Sequence, residues 1–162
     1  MNIIKFIKQK IVEKSFKNKV DLALKTALSK EPSGLLVHNN GKIVRDGGDL
    51  FKIENETTSG IYLRRMLLNE GVSIISGIHK RDHVWFLLHG DITVSSYDGV
   101  KNYSAPWVGF SKAGTQRVIY ANTYSIFQNV FQNPDEIEDI DDLEAYNYCT
   151  TFEEYKKYKK NK

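Results

Sequence analysis

From Ile61 to Phe131 the chain is a succession of short apolar runs, each cut off by a turn signal. The signals are Asn69-Glu70-Gly71, Gly90, Asp98-Gly99 and Lys112-Ala113-Gly114. Strand-length runs recurring roughly every 8–12 residues indicate a sandwich or barrel. The expected strands are 61–68, 72–78, 83–88, 91–95, 100–104, 106–110, 116–121 and 124–131.

Within this region, Gly71 to Gly90 holds three of the four histidines. His79 and His83 are four residues apart. Strand side chains alternate faces, so the two imidazoles point the same way, with Gly77 on that side as well. The following Val84-Trp85-Phe86-Leu87-Leu88 is too apolar for an exposed strand. The expectation is two imidazoles facing the interior of a β structure beside a bulky apolar wall.

The flanks read differently. Residues 3–29 are expected to be helical, with Ile4, Ile7, Ile11 and then Val20, Leu24, Leu28 at helical spacing and a lysine-rich opposite face. Such a helix packs on its own barrel or on a sister subunit, or lies on a membrane or an acidic partner. Glu31-Pro32-Ser33-Gly34 breaks it. Asn39-Asn40-Gly41 between apolar runs signals a hairpin, and Asp46-Gly47-Gly48-Asp49 a second turn. After Asn133-Pro134, Ile137, Ile140 and Leu143 recur at spacing three among acidic residues, so residues 135–144 are expected to form a short acidic helix. Thr151-Phe152-Glu153-Glu154 has the form of a capping box opening a last helix, which ends in a frayed lysine-rich tail. The organisation is thus residues 1–33 as a basic amphipathic helix, 34–133 as a β-barrel, and 134–162 as an acidic then basic helical extension.

A chain of 162 residues is one domain with a sizeable core. A net charge of +3 is too small to imply nucleic acid, and lysines and aromatics do not interleave as in a single-strand groove. The lone Cys149 makes no intrachain disulfide and suits a reducing compartment. No apolar run approaches the roughly 20 residues that span a bilayer, and no h-region or cleavage site marks a signal peptide.

Gly71-x5-Gly77-x-His79-x3-His83-x6-Gly90 has the spacing of the first cupin motif, Gly-x5-His-x-His-x3-Glu-x6-Gly. The second cupin motif, Gly-x5-Pro-x-Gly-x2-His-x3-Asn, can be laid on Pro106 through Lys112, Gly114, Arg117 and Ala121. The chain resembles the cupin superfamily and, more closely, small cupin-like proteins of tailed bacteriophages. The shared phrases include Gly60-Ile61-Tyr62-Leu63-Arg64, Gly77-Ile78-His79-Lys80 and Ala113-Gly114-Thr115-Gln116-Arg117-Val118-Ile119-Tyr120-Ala121. The resemblance spans roughly Gly60 to Glu144. It implies a double-stranded β-helix (a jelly-roll barrel), a homo-oligomer, and work in a host cytoplasm or with phage structural proteins. Metal-binding cupins hold their ion with three His and one Glu. Carried over by position, those ligands are Gly77, His79, His83 and Arg117, and Arg117 brings a fixed positive charge. Phe131 stands where relatives tend to have a further His.

Three readings of the middle follow. In the first, His79 and His83 hold a divalent transition metal (Fe, Mn, Ni or Zn), with His89 or Asp82 completing the set, as in a dioxygenase or isomerase. In the second, the barrel binds a small anionic ligand without catalysis. Arg117 then holds a carboxylate or phosphate, Trp85, Tyr120 and Phe127 wall the pocket, and the histidines supply hydrogen bonds. In the third, the barrel is a structural or virion-associated module, the histidines are core residues, and Arg117 pairs with Glu70 or Asp91.

Overall fold

The structure is a computed structural model and describes residues 10–20, 22, 37–39, 42–44 and 50–162. The expected helix-breaking Glu31-Pro32-Ser33-Gly34 and the Asp46-Gly47-Gly48-Asp49 turn lie outside the described residues, as do most of the apolar positions of the first helix.

The middle of the chain is built of antiparallel strands. They are β3 (Phe51–Thr58), β4 (Gly60–Leu68), β5 (Val72–Ile75), β6 (Ile78–His79), β7 (His83–His89), β8 (Asp91–Ser96), β9 (Gly99–Ser104), β10 (Trp107–Ser111), β11 (Val118–Ala121) and β12 (Ser125–Asn133). Two short strands before them, β1 (Val37–Asn39) and β2 (Lys42–Val44), form the hairpin that Asn39-Asn40-Gly41 signals. One sheet has the order β2-β1-β5-β11-β8-β9, and the other β10-β7-β12-β4-β3. Numbering β4, β5 and β7 to β12 from 1 to 8 in chain order, the sheets read 6-3-8-1 and 2-7-4-5. This is the strand order of a jelly roll, two interlocked Greek keys. The expected double-stranded β-helix is therefore present, and most strands fall where the turn signals put them. The expected strand 72–78 instead breaks at Ser76-Gly77 into β5 and β6, which belong to different sheets.

The sheets face each other because their strands alternate. On β4, Tyr62, Arg64, Met66 and Leu68 are buried in turn. On β12 the buried set is Ser125, Phe127, Asn129, Phe131 and Asn133. The main core joins Met66, Leu68, Trp85, Leu87 and Phe127 of one sheet to Val72, Ile74, Ile92, Val94 and Ile119 of the other. Fully burying one such side chain contributes about 1.5–3 kcal/mol. Gly90 makes the β7–β8 turn at φ +81, and a Cβ there would sit 2.1 Å from the Tyr124 carbonyl oxygen. Only glycine adopts that backbone in that space.

Strand β3 was not expected. Its sequence FKIENETT mixes apolar and charged residues too evenly to stand out. It forms because residues 51–58 pair in unbroken register with β4, from Phe51 opposite Leu68 to Thr58 opposite Ile61. Arg65 on β4 reaches Glu54 at 3.1 Å and Glu56 at 3.5 Å.

Three helical elements flank the barrel. Helix α1 (residues 10–20) carries an Lys17–Glu13 ion pair, and Lys17 Nζ lies 4.3 Å from the centre of the Phe152 ring. Of the apolar stripe read from the sequence, Val20 is buried and Ile11 is exposed. Helix α2 (Ile140–Asn147) starts later than residue 135, capped by Asp139, which accepts from Asp142 N at 3.0 Å. The delay has a local cause. Asn133 binds both the N–H and the carbonyl of Ile137, and Glu136 takes a φ of 50, so the first residues after Pro134 form a turn. Helix α3 (Phe152–Lys160) opens on the expected Thr151/Glu154 capping box, but it stays helical through Lys160 instead of fraying. Between α2 and α3, β13 (Tyr148–Cys149) pairs with β6. Cys149 is thus buried against the barrel and not on a loose tail. No helix among the described residues is long and apolar enough to cross a membrane.

Candidate functional site

A cavity of about 480 Å³ opens between the two sheets at the end that β13 covers. Strands β4 and β12 contribute Arg64, Phe127 and Asn129, β6 contributes His79, and the run into β11 contributes Gln116 and Arg117. The C-terminal segment closes it with Glu144, Tyr148 and Cys149.

The histidines do meet, but not along one strand: His79 ends β6, His83 begins β7 in another sheet, and the bend at residues 80–82 brings the rings together. Both are buried, and their rings stack at 4.1 Å between centroids. His79 donates through Nδ1 to the Thr115 carbonyl at 2.8 Å, and His83 Nδ1 makes a longer contact of 3.4 Å to the Arg81 carbonyl. Burial holds His79 well below the usual histidine range, and the charge on His83 adds to this. Burial first, and Arg117 second, pull His83 down to about 4. Both rings are therefore neutral at pH 7. His83 Nε2 is buried with no hydrogen-bond partner. Phe131 packs against His83 with 4.7 Å between ring centres.

The two arginines of the cavity differ in one respect. Arg64 is neutralised: it pairs with Glu144 of α2 and donates to the Tyr62 hydroxyl at 3.2 Å. Burial opposes its charge, yet Tyr148, Tyr62 and Glu144 outweigh burial and hold its pKa above the ordinary value. Arg117 is 7% exposed and has no carboxylate partner among the described residues. Its guanidinium donates to Ser111 Oγ and lies 5.4 Å from the centre of the Trp85 ring. Burial pulls its pKa down to about 10, with only tyrosines acting the other way. Neither Glu70 nor Asp91 pairs with it. Two more polar atoms of the lining, Gln116 Oε1 and Asn129 Oδ1, are buried without partners.

The remaining expected residues separate. Phe127 lines the cavity, and Trp85 stacks on it at 5.2 Å. Tyr120 is 41% exposed and stands on the outer surface, because β11 turns Ile119 and Ala121 inward and Tyr120 outward. It does not wall the pocket. Asp82 is on the surface, bonded to Lys112 Nζ at 2.6 Å and to Ala113 N at 2.8 Å. His89 is exposed at the end of β7, beside Tyr124. Neither can complete a ligand set with His79 and His83.

The fit of a transition metal follows from these positions. The imidazoles supply two nitrogen donors, and among the described residues no three His, Cys, Asp or Glu side chains converge on one point. At Gly77 the loss is more than a missing side chain. A Cβ there would lie 3.0 Å from Tyr148 Cβ and 3.1 Å from its ring. The C-terminal segment has filled the space a ligand from residue 77 would use. Catalytic sites take about three protein ligands with an open position, and a buried guanidinium beside the pair repels a cation. The donor set does not fit a catalytic metal.

Arg64, Gln116, Asn129, Glu144 and Tyr148 were not identified from sequence. Arg64 and Asn129 carried a usable signal: each is the polar member of an alternating inward row, Tyr62-x-Arg64-x-Met66 and Phe127-x-Asn129-x-Phe131. Tyr148 carried none, since its place depends on pairing with β6, some 70 residues earlier in the chain.

No family model and no curated protein matches the chain. Solved structures do. They include a cupin superfamily protein from Desulfitobacterium hafniense, at 10% identity over 52% of this chain and 78% of that one, with a TM-score of 0.47. An acetylacetone dioxygenase from Acinetobacter johnsonii matches at 17% identity over 60% of this chain and 62% of that one, TM-score 0.45. KdgF from Halomonas sp. matches at 13% identity over 68% of this chain and 99% of that one, TM-score 0.49. The strand order, and not these distant likenesses, identifies the fold.

Proposed function

We propose that this barrel is a non-catalytic binding protein for a small organic anion, held in the cavity by Arg117. The observation that carries the reading is a buried guanidinium with no carboxylate partner among the described residues. Leaving a buried charge unpaired costs several kcal/mol, so it persists where a partner arrives from outside. Arginine binds carboxylate and phosphate bidentately, which adds geometry to charge. The unpaired Gln116 Oε1, Asn129 Oδ1 and neutral His83 Nε2 are acceptors. They suit a ligand with hydroxyl or amide hydrogens besides its acid group. His79, locked to Thr115 by its Nδ1–H, acts as a wall and orients His83 by stacking.

A metal-dependent enzyme is the weaker reading, because the donors stop at two. Homo-oligomer formation and work in a phage-infected host belong to the same proposal and rest on the resemblance of the phrases around Gly77 and Arg117. The test uses protein purified without an affinity tag. Native mass spectrometry should find a small anion that the Arg117→Met variant does not retain, and inorganic phosphate or malonate should raise the melting temperature of the wild type alone. Stoichiometric Fe, Mn, Ni or Zn that disappears in His79→Ala and His83→Ala, with no anion effect, would overturn the proposal.

A further inference from the structure

A second hollow lies away from the cavity mouth, between the free edges of the two sheets. Strand β9 ends the six-stranded sheet and β10 ends the five-stranded one, and among the described residues neither has a strand partner on its outer side. The space between them, about 260 Å³, is lined by Trp85, Tyr103, Trp107, Phe110 and Lys101, and Arg117 reaches it from within. Three of these rings, Trp85, Tyr103 and Trp107, form a continuous aromatic wall. Tyr103 meets Trp85 edge-on at 5.1 Å and Trp107 at 5.1 Å with a 53° tilt. The outer end of this wall faces water, since Trp107 is 47% exposed, whereas Phe110 alternates to the opposite face of β10. Lone exposed aromatics are ordinary, but clustered ones mark a place where something docks.

The charges at this cleft are uneven. Lys101, Lys112 and Arg117 line it against Asp98. Lys112 is paired with Asp82, whereas Lys101 forms no ion pair among the described residues. Exposed rings offer faces and edges for stacking, each pair worth about 0.5–1.5 kcal/mol beyond burial. The cations supply a counter-charge at the inner and outer ends. The volume falls below the roughly 300–1,000 Å³ of drug-sized sites, so the occupant is one or two fused rings.

We infer that the cleft between β9 and β10 is a second ligand site, for a small planar aromatic acid whose ring lies on Tyr103 and Trp107 and whose acid group meets Lys101 or Arg117. The site stands on its own wall and does not need the cavity to be occupied. Sharing Arg117 makes the two sites interfere: an acid drawn to the inner end of the cleft competes with an anion held from the cavity side.

The chain has two tryptophans, Trp85 and Trp107, and both line the cleft. Their indole N–H signals therefore report on this site directly. Full-length protein is titrated with 2-naphthoate and, in parallel, with acetate, followed by NMR of the indole N–H region and by calorimetry. Saturable naphthoate binding that shifts both indole signals is expected, with acetate at least tenfold weaker. Trp107→Ala and Lys101→Glu alter surface side chains and should each weaken naphthoate at least tenfold, while leaving the effect of phosphate on the melting temperature unchanged. Failure of the phosphate effect with naphthoate binding intact would sink the cavity reading alone. Absence of naphthoate binding up to millimolar concentration, or equal affinity in wild type and both variants, would overturn the cleft.

Discussion

Replacing Arg117 by Met should make the unliganded protein more stable while removing its affinity for anions. The folded state pulls the guanidinium's pKa from its ordinary value down to about 10, because burial disfavours the charged form. A group charged below its pKa and depressed by folding weakens the fold wherever it is charged in both states. That penalty is therefore complete at neutral pH and fades only as pH rises through about 10. At about 1.4 kcal/mol for each tenfold step in the proton equilibrium, the drop corresponds to about 3 kcal/mol. Against it stand the Ser111 hydrogen bond, about 1 kcal/mol, and the Trp85 contact, about 0.5–1 kcal/mol. Methionine fills most of the space without strain. The net expectation is a gain of about 1–2 kcal/mol, or a melting temperature higher by roughly 3–6 °C for a chain of this size. Urea unfolding in a buffer free of multivalent anions measures it. Adding phosphate should then stabilise the wild type toward the variant, since a ligand that binds only the folded state adds RT ln(1 + [L]/Kd). A variant less stable than wild type by 1 kcal/mol or more would refute the reasoning, for it would mean the fold itself neutralises the charge.

Three further outcomes follow from the same geometry. His83 falls from 6.5 to about 4 on folding, so the unfolded chain binds the extra proton between those values; stability should drop by about 3 kcal/mol as pH falls from 6.5 to 4, and a His83→Gln variant should show a shallower slope in pH-dependent urea melts. A Cβ at Gly109 would lie 2.2 Å from Trp85 Cε2, so Gly109→Ala should cost about 1–3 kcal/mol and change the near-ultraviolet circular dichroism as Trp85 is displaced. Gly77→His combined with Tyr148→Ala should clear the plugged position and add a third imidazole, and equilibrium dialysis should then detect zinc binding at least tenfold tighter than that of the wild type.

The legibility of this chain divides along the range of the interactions involved. Strands β4, β5 and β7 to β12 could be read because each is bounded by its own turn chemistry, as at Gly90 and Gly99, whereas β6 reads as one strand with β5. Alternation along one strand predicts the histidine pair for the wrong reason: residues 79 and 83 lie on β6 and β7, in different sheets, and the bend at residues 80–82 stacks their rings. Tyr120 misled because a one-residue error in which side chains point inward moves a residue from wall to solvent. Strand β3 was invisible because its mixed sequence gains its conformation from β4. The plug at Gly77 and the pairing of Arg64 with Glu144 were invisible because they join residues some 70 to 80 positions apart. Local pattern carries no record of such meetings.

The anchoring of β13 on β6 has a consequence for how such a barrel changes over time. Eight strands make the scaffold, yet a tail of fewer than thirty residues supplies one side of the chamber, through Glu144, Tyr148 and Cys149. Exchanging that tail would remodel the lining without disturbing a single rung of the jelly roll. The chamber's lining is portable, carried in part on an appendage that can diverge while the scaffold stays constant.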